Sequence, residues 1–411
     1  MKTKKHVIVI GGGAAGMIAA ISAKRLGADV TILERNPRVG KKILATGNGR
    51  CNFTNINTDI TYYHGKNHKF AHSALSNFTI DDTIGFFEKL GIQHKVEDFG
   101  KVFPMSDQAS SVLDVLRFEL DELGVKTICD AYVKDISKRD GMFTVKLEDG
   151  KSHQADRVVI TTGGKAMPSS GSDGNGYDLA IKQGHNVIEV FPTLVQLMLE
   201  GAFFKRIAGV KFVGTAEIIY ENKSLVKDRG DILFANYGVS GPPILQISRP
   251  AGELLQAGKD VYLKLTIMDM IPKDELRKLI NKRFKTSPNK SLEFSLVGLI
   301  NKRLIPVVLM EAGINDIKQS VSNLSNKEQE RIIDVLTDWR FKIRGTKSWP
   351  SAQATAGGVD TREINQETME SKSVEGLFFA GEIIDIDGYC GGFNLQWAWS
   401  SGFIAGQNAA I

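Results

Sequence analysis

The first part of the chain alternates between short apolar runs and a stretch of small residues. His6 to Ile10 is apolar and β-branched, Ala14 to Leu26 places small and apolar residues at helical spacing, and Asp29 to Leu33 is a second apolar run. Short apolar runs favour buried strands, and the spacing between them favours a helix. The segment therefore predicts a strand–helix–strand unit, which implies a parallel sheet.

Amphipathic helices and further strands are predicted downstream. The helices cover Ile80 to Leu90 and Ala109 to Leu123, and Ser106 with Asp107 suits the N-cap of the second. Alternation and short apolar runs then predict strands over Lys126 to Ser137, Met142 to Glu148 and Asp156 to Ile160. The pattern up to this point is that of an α/β domain.

The pattern changes near Pro192. Residues 192–270 carry β-type runs, such as Thr215 to Tyr220 and Val261 to Met268. Helical spacing returns over Lys273 to Lys285, Leu292 to Ile300 and Lys327 to Trp339, and a last strand and helix cover Leu377 to Ala380 and Leu395 to Ala410. We therefore divide the chain into an α/β part (1–191), a β-rich domain (192–272 and 339–350), a helical insertion (273–338) and a C-terminal α/β part (351–411).

Composition restricts the class of protein without identifying it. The 411 residues are 42% hydrophobic and 24% charged, which is an ordinary globular balance. The net charge of +5 is not concentrated in any block of like charge, so we expect no nucleic-acid partner, and no apolar run is long enough to predict a membrane span. Three cysteines without a Cys-x-x-Cys pair favour a reducing cytoplasm, and the histidines lack the spacing of a metal site.

A glycine motif follows the first predicted strand. Gly11, Gly13 and Gly16 form G-x-G-x-x-G at the start of the predicted helix. Such glycines permit a tight turn, a close approach to a pyrophosphate and close packing of the helix, whose N-terminus offers free N–H groups. Glu34 ends the second strand, where a carboxylate accepts hydrogen bonds from ribose hydroxyls and repels a 2′-phosphate. The motif thus predicts a dinucleotide such as FAD or NAD rather than NADP.

A second glycine-rich segment lies at the far end of the chain and favours FAD over NAD. Gly381 and Glu382 come directly after the last strand, and Gly391 and Gly392 come directly before the last helix. Glu382 could hold hydroxyls of a ribityl chain, and the helix N-terminus would stabilise the negative charge of a reduced flavin. A simple NAD dehydrogenase needs no such late return to the cofactor.

Five segments resemble, in the same order, those of the BaiN-type (also YhiN-type) bacterial flavoproteins. They are Gly11 to Gly16, Thr46 to Asn55, Thr162 to Gly164, Ala356 to Val359 and Phe379 to Asn394. The likeness spans essentially the whole chain, and the block Gly47 to Asn55 is its most family-specific part. Relatives are described as NAD(FAD)-utilising dehydrogenases, as aminoacetone oxidases and, in one branch, as reductases of conjugated double bonds in oxo bile acids.

The resemblance implies a Rossmann-like, glutathione-reductase-like FAD-binding domain built from both chain ends, with an inserted β-rich substrate domain and a small helical domain. It also implies which residues contact FAD. Residues at the pyrophosphate and the adenosine are Gly11, Gly13, Ala14, Ala15, Gly16, Glu34, Arg35 and Val133. Residues along the cofactor, its ribityl chain and its flavin are Lys41, Lys42, Gly47, Asn52, Thr162, Gly163, Gly164, Gly381, Glu382, Gly392, Phe393 and Asn394. Glu382 stands where many flavoproteins have aspartate, which is a small departure from their pattern.

The catalytic groups are less well defined by the sequence. Arg50, in its glycine-rich loop, could orient an anionic or carbonyl substrate, or it could simply pair with a carboxylate. Tyr389 is a second candidate because it precedes Gly391. Cys51 could be redox-active or a small buried apolar residue. No second G-x-G-x-x-G and no cysteine pair is present, which disfavours a separate nicotinamide domain and a disulfide reductase.

Four functions remain open at this stage. The leading hypothesis is an FAD-dependent oxidoreductase that transfers hydride between flavin and a small organic substrate, with NAD(P)H as a transient donor. The first alternative is an amine or aminoketone oxidase that passes electrons to oxygen. A tRNA-modifying flavoprotein and a non-catalytic flavin-binding module are the alternatives from other classes. The sequence leaves the substrate and the oligomeric state undefined.

Overall fold

The computed structural model describes residues 4–411, which divide into two compact units. The terminal unit combines the chain up to Pro192 with Ala352–Ile411, and the inserted unit is Thr193–Ser351. Each unit has its own hydrophobic core. No helix within residues 4–411 has both the length and the apolar character needed to cross a lipid bilayer.

The terminal unit contains fifteen of the strands and six of the helices that we number along the whole chain. Its strands are β1 His6–Ile10, β2 Asp29–Leu33, β3 Thr54–Asn55, β4 Tyr63–His64, β5 His94–Val96, β6 Lys101–Pro104, β7 Lys126–Ile128, β8 Val133–Arg139, β9 Met142–Leu147, β10 Ser152–Ala155, β11 Arg157–Ile160, β12 Val187–Thr193, β19 Ala354–Val359, β20 Leu377–Phe379 and β21 Asp387–Gly388. Its helices are α1 Ala14–Arg25, α2 Ala71–Asn77, α3 Ile80–Lys89, α4 Ala109–Glu122, α5 Asn175–Lys182 and α12 Phe393–Ala409.

A five-stranded parallel sheet forms the centre of this unit. The strand order is β20-β11-β1-β2-β7, and every neighbouring pair is parallel. In β1 the residues from Val7 to Ile10 are buried, as expected for a parallel sheet that is covered on both faces. The chain continues from β1 to β2 on one side and returns to β11 on the other. Such a switch in strand order opens a crevice at the carboxyl ends of the strands.

Helices α1 and α12, one from each end of the chain, pack tightly on this sheet. A side chain at Gly402 would overlap the backbone carbonyl of Ala15, and one at Gly406 would overlap that of Ala19. Both glycines lie on one face of α12, so the two helix backbones approach closely. Trp397 and Trp399 of α12 are fully buried and anchor the helix in the core. The α/β fold with a parallel sheet that the sequence predicts is confirmed.

The secondary structure of the terminal unit differs from the prediction at two places. Helix α4 has Gln108 at its N-cap position, with no side-chain cap, because Asp107 is instead held by Lys95 and Arg50. The predicted strand over 126–137 is two strands in different sheets. β7 joins the parallel sheet, whereas β8 pairs antiparallel with β9 in a separate three-stranded sheet.

The inserted unit is built around a closed six-stranded barrel. Its strands, in the order β13-β16-β15-β14-β17-β18, are β13 Leu197–Leu199, β14 Lys211–Tyr220, β15 Lys223–Ala235, β16 Gly238–Ser240, β17 Tyr262–Thr266 and β18 Trp339–Thr346. Its helices are α6 Phe204–Ile207, α7 Pro242–Gln256, α8 Lys273–Thr286, α9 Leu292–Ser295, α10 Ile305–Glu311 and α11 Asn326–Thr337. The helices and the barrel share one hydrophobic core.

The sequence prediction misses one long helix in this unit and misplaces two helix ends. Residues 192–270 were expected to be β-rich, but they include the fifteen-residue helix α7, which packs on the barrel strands. The helix predicted over 292–300 ends at Ser295, and Trp339 begins β18 instead of ending α11. Trp339 belongs to a strand because its ring packs on Phe203 and Phe341 in the barrel core.

Candidate functional site

A cleft lies at the carboxyl ends of the central strands of the terminal unit. It contains about 1110 Å³ of empty space, part of it open to solvent. Its walls come from the ends of β1, β2 and β11, from the first turns of α1 and α12, and from the loop around Gly381. This is the position at which parallel α/β sheets bind nucleotide ligands.

The three glycines of the N-terminal motif have three different surroundings. Gly11 has φ +100°, a conformation that side chains disfavour, and a Cβ there would lie 2.7 Å from the carbonyl oxygen of Thr161. A Cβ at Gly16 would overlap the carbonyl of Gly11, so the helix can pack on the loop only without one. A Cβ at Gly13 would meet no atom within 4 Å, since it would project into the cleft. The open space at Gly13 fits a pyrophosphate that passes close to the backbone.

Glu34 is buried at the end of β2 and is held in one orientation. One carboxylate oxygen accepts a hydrogen bond from the backbone N–H of Gly12 at 2.8 Å. The other accepts from the backbone and the side-chain nitrogens of Asn36, at 2.8 and 2.7 Å. Each carboxylate oxygen can accept more than one hydrogen bond, so the group can still take ribose hydroxyls.

Arg35, Lys42 and Glu382, which also line the cleft, form ion pairs. Arg35 forms an ion pair with Asp173, and its guanidinium lies 4.8 Å from the centre of the Tyr132 ring. Lys42 donates to Glu382 at 2.5 Å, and the other carboxylate oxygen of Glu382 accepts from the backbone N–H of Thr355 at 2.7 Å. The Lys42–Glu382 pair therefore joins the segment after β2 to the segment after β20 across the cleft.

The C-terminal glycine segment forms a closed loop before α12. Asn394 accepts from the N–H of Gly388 at 2.8 Å and donates to the carbonyl of the same residue at 2.8 Å. The indole N–H of Trp397 donates to the carbonyl of Gly381 at 3.1 Å. These bonds fix the first turn of α12, and residues of this turn line the cleft together with the first turn of α1. The N-terminus of a helix carries free N–H groups and the positive end of its dipole.

Most of the residues predicted to contact FAD line this one cleft. They are Gly11, Gly13, Ala14, Ala15, Glu34, Arg35, Lys41, Lys42, Val133, Thr162, Gly163, Gly381, Glu382 and Asn394. Six others are not among its lining residues: Gly16, Gly47, Asn52, Gly164, Gly392 and Phe393. A side chain at Gly392 would overlap the carbonyl of Thr54.

The sequence prediction missed one wall of the cleft. This wall is the segment from Ser170 to Asn175, which follows Gly163 and ends at the first residue of α5. Gly171 and Gly174 in this segment both have positive φ. The spacing of these glycines does not match G-x-G-x-x-G, so the motif search did not single out this segment. Two glycines that lead into a helix are nevertheless a signal that could have marked it.

The residues present fit a dinucleotide cofactor. A Cβ at Gly13 would enter only open space, so a pyrophosphate can pass close to the backbone there. The carboxylate of Glu34 and the N-termini of α1 and α12 supply the other contacts that an extended dinucleotide needs. No group of three His, Cys, Asp or Glu side chains within residues 4–411 is arranged to hold a metal ion.

Neither catalytic candidate lies on the lining of the cleft. Arg50 donates to Glu97 at 2.9 Å and to Asp107 at 3.2 Å. The hydrogen bond to Glu97 has the largest effect in raising the pKa of Arg50, and Asp107 also raises it. Its guanidinium also lies 4.0 Å from the centre of the Phe103 ring. The geometry thus favours the pairing role that the sequence left open.

Tyr389 and Cys51 occupy different environments. The ring of Tyr389 packs on Tyr62 and His64 and remains partly exposed. Cys51 is fully buried, and burial raises the pKa of its thiol to about 12. A thiol with such a pKa is protonated at neutral pH and is a poor nucleophile.

Comparisons with known proteins show the family of the chain. The family model of the HI0933-like protein Rossmann domain matches residues 5–408. A 3-dehydro-bile acid delta(4,6)-reductase of Clostridium scindens is 39% identical over 406 residues, which are 98% of each chain. A ribosomal RNA dihydrouridine synthase of Escherichia coli is 34% identical over 98% of this chain and 97% of its own. A solved 3-ketosteroid-delta4-(5alpha)-dehydrogenase of Rhodococcus jostii aligns with all of this chain and 97% of its own, at 17% identity and a TM-score of 0.49. The chain belongs to the HI0933-like Rossmann-domain family, the BaiN/YhiN-type flavoproteins that its motifs resemble.

Proposed function

We propose that this flavoprotein is an FAD-dependent reductase that saturates a carbon–carbon double bond conjugated to a carbonyl group. The observation that carries the proposal is the similarity of nearly the full chain to two proteins whose names both describe such a saturation. A delta(4,6)-reductase reduces double bonds of a 3-oxo steroid, and dihydrouridine is uridine with two hydrogens added to its ring. In both, a carbonyl group makes the double bond open to hydride attack.

The residues of the cleft have separate roles in this proposal. The N-terminus of α1 and the space at Gly13 receive the pyrophosphate, and Glu34 receives the ribose hydroxyls. The Lys42–Glu382 pair lies along the ribityl chain. The N-terminus of α12 favours negative charge at the far end of the cleft. Bound FAD supplies hydride chemistry that no side chain can supply.

The proton that completes the reduction must come from the protein or from water. Addition of hydride to the β-carbon leaves negative charge on the carbonyl oxygen, and a proton is then added at the α-carbon. Tyr389 is the candidate donor, because it is a partly exposed tyrosine in the loop that precedes α12, where Asn394 donates to its backbone carbonyl. Its replacement by Phe should lower kcat by about 10²- to 10⁴-fold while leaving FAD content unchanged. Retention of wild-type kcat in Tyr389→Phe would assign proton delivery to water.

One anaerobic experiment tests the proposal and the electron donor together. The flavin absorbance is followed as NADH, NADPH or candidate amines are added, and then as acceptors are added to the reduced protein. We expect bleaching by NAD(P)H and recovery with a conjugated dienone steroid, but not with the same steroid carrying an isolated double bond. Bleaching by an aminoketone, with recovery only in oxygen, would instead establish an amine oxidase.

A uracil base within RNA is the second candidate substrate, and the distribution of charge favours testing it. Residues 193–351 carry 25 Lys and Arg against 17 Asp and Glu, whereas the rest of the chain carries 27 against 30. A basic excess confined to one unit suits a polyanionic partner. Ribosomal RNA fragments should bind with an affinity that falls steeply with salt and should gain dihydrouridine, as detected by mass spectrometry. Absence of binding at low salt would leave only the small-molecule substrate.

A further inference from the structure

Phe99 has an unusual environment for an aromatic residue. Its side chain is 82% exposed, the highest fraction among the large apolar side chains of residues 4–411. Its φ is +61°, a conformation that is uncommon for residues other than glycine. A single exposed apolar residue is ordinary, but exposure together with a disfavoured backbone indicates that the surrounding structure imposes the position.

Asn55 imposes this conformation. It is 2% exposed, and its side-chain NH₂ donates to the carbonyl of Phe99 at 3.2 Å. Its side-chain oxygen accepts from the N–H of Asn57 at 2.9 Å and would lie 2.7 Å from a Cβ at Gly100. The turn from Phe99 to Gly100 is therefore shaped around one buried amide.

The same amide ties Phe99 to the end of the cofactor cleft. The NH₂ of Asn55 also donates to the carbonyl of Gly391 at 2.8 Å, so the carbonyls of Phe99 and Gly391 share one donor group. Gly391 precedes the first turn of α12, which lines the cleft through Asn394 and Leu395. Lys101 lies between the two loops, with its ammonium 5.6 Å from the centre of the Phe99 ring.

From this arrangement we infer that Phe99 is a substrate-contacting residue that stacks on the flat conjugated ring to be reduced, and that Asn55 is its positioning residue. The inference rests on the proposed function, because a flat unsaturated ring is what an exposed aromatic face recognises. It also gives Asn55, the last residue of the family-specific block Gly47 to Asn55, a defined role. The block holds a substrate-binding aromatic beside the helix N-terminus that faces the cofactor.

Replacement of Phe99 tests the contact. Phe99→Ala should raise KM for the conjugated substrate at least tenfold. It should also weaken the binding of that substrate to the oxidised protein by a similar factor, and this binding is measured from the shift in flavin absorbance. FAD content and the rate of flavin bleaching by the donor should not change. Phe294→Ala is the matched control, because Phe294 is also exposed and also has a lysine ammonium near its ring, 5.7 Å from Lys290.

Replacement of Asn55 tests the positioning role. Asn55→Asp keeps the acceptor oxygen but removes the NH₂ group that both carbonyls share. It should raise KM more than it lowers kcat, and it should have no further effect on KM in a chain that already carries Phe99→Ala. If Asn55→Asp does not fold, Gly100→Ala serves instead, because its Cβ would press on Asn55 and Asn57.

The outcomes separate this inference from the proposed function. A wild-type protein that reduces the substrate, together with a Phe99→Ala variant whose KM and binding stay within twofold of wild type, would overturn the inference and leave the function intact. Additive effects of Asn55→Asp and Phe99→Ala would overturn the positioning role. A wild-type protein that neither binds nor reduces any conjugated carbonyl substrate would overturn the proposed function, and this inference with it.

Discussion

Single residues in this protein show how burial and partners decide the role of a reactive side chain. Arg50 and Cys51 are neighbours in the family-specific block, and both carry groups that serve catalysis in other proteins. In this fold the guanidinium is held between two carboxylates and the thiol is fully buried. The residue type alone therefore could not settle their roles, since the partners Glu97 and Asp107 lie far along the chain.

Replacement of Arg50 distinguishes a structural role from a catalytic one. Arg50→Met removes the ion pairs to Glu97 and Asp107 and leaves these carboxylates with Lys95 alone. We expect Tm to fall by a few degrees while kcat and KM stay within twofold of wild type. A hundredfold loss of kcat without a change in Tm would show that Arg50 acts on the substrate.

His185 should make the stability of the protein depend on pH. Its ring is buried, 3.0 Å from the hydroxyl of Ser371 and 3.3 Å from Glu363, and burial lowers its pKa below the usual 6.5. The unfolded chain therefore binds a proton at a higher pH than the folded chain does. Stability is fully present above about pH 6.5 and decreases as the pH falls from there through the folded pKa.

Urea unfolding at a series of pH values checks this prediction. In the His185→Gln protein, the free energy of unfolding should decrease less than in wild type as the pH is lowered from 7.5, because the group that takes up the proton is absent. His72→Gln, at an exposed position, should keep the wild-type dependence. An unchanged dependence in His185→Gln would show that another group controls it.

At the level of elements, the contact between α1 and α12 determines the shape of the cleft. The two helices come from opposite ends of the chain, and residues of both first turns line the cleft. Gly402 and Gly406 set their separation, because a side chain at either position would overlap the backbone of α1. The geometry of the cleft thus depends on two residues that do not line it.

Enlarging Gly406 should disturb both stability and cofactor binding. Gly406→Ala places a methyl group against the carbonyl of Ala19, and overpacking of this kind lowers the free energy of unfolding by about 1–3 kcal/mol. FAD affinity should fall as well, since the two helix N-termini move apart. Gly85→Ala in α3 is the control, because its Cβ meets no atom within 4 Å. A Gly406→Ala protein that is as stable as wild type would contradict the tight contact.

Elements with strong local signals were predictable, and those defined by distant partners were not. The boundaries of β1, α1 and β2 follow from apolar spacing and the glycine motif, and the prediction of each is confirmed within a residue. Helix α7 was missed because its surroundings are β-rich, although Pro242 at its start is a common helix signal. The barrel could not be read from the sequence, because its closure depends on pairing between β13 and β18 at opposite ends of the unit.

For the whole molecule, the site depends on the two ends of the chain meeting in one unit. β20 extends the parallel sheet beside β11, and α12 then packs on α1. The spacing of glycines and apolar residues predicts each half of the cleft separately. It does not predict that the two halves come together, which the resemblance to known flavoproteins implied. The segment from Ser170 to Asn175 was not foreseen, because its role depends on where it folds back.

FAD content of the Gly13→Ala protein tests the central claim most directly. Gly13 has an ordinary φ of −79°, and its Cβ would enter only the empty space of the cleft, so the variant should fold as well as wild type. We predict that the wild-type protein and the Gly85→Ala control each retain one FAD per chain through gel filtration. The Gly13→Ala protein should bind FAD at least tenfold more weakly, while the unfolding of its FAD-free form stays the same as in wild type. Wild-type FAD affinity in Gly13→Ala would show that the pyrophosphate does not pass this glycine, and would contradict the account.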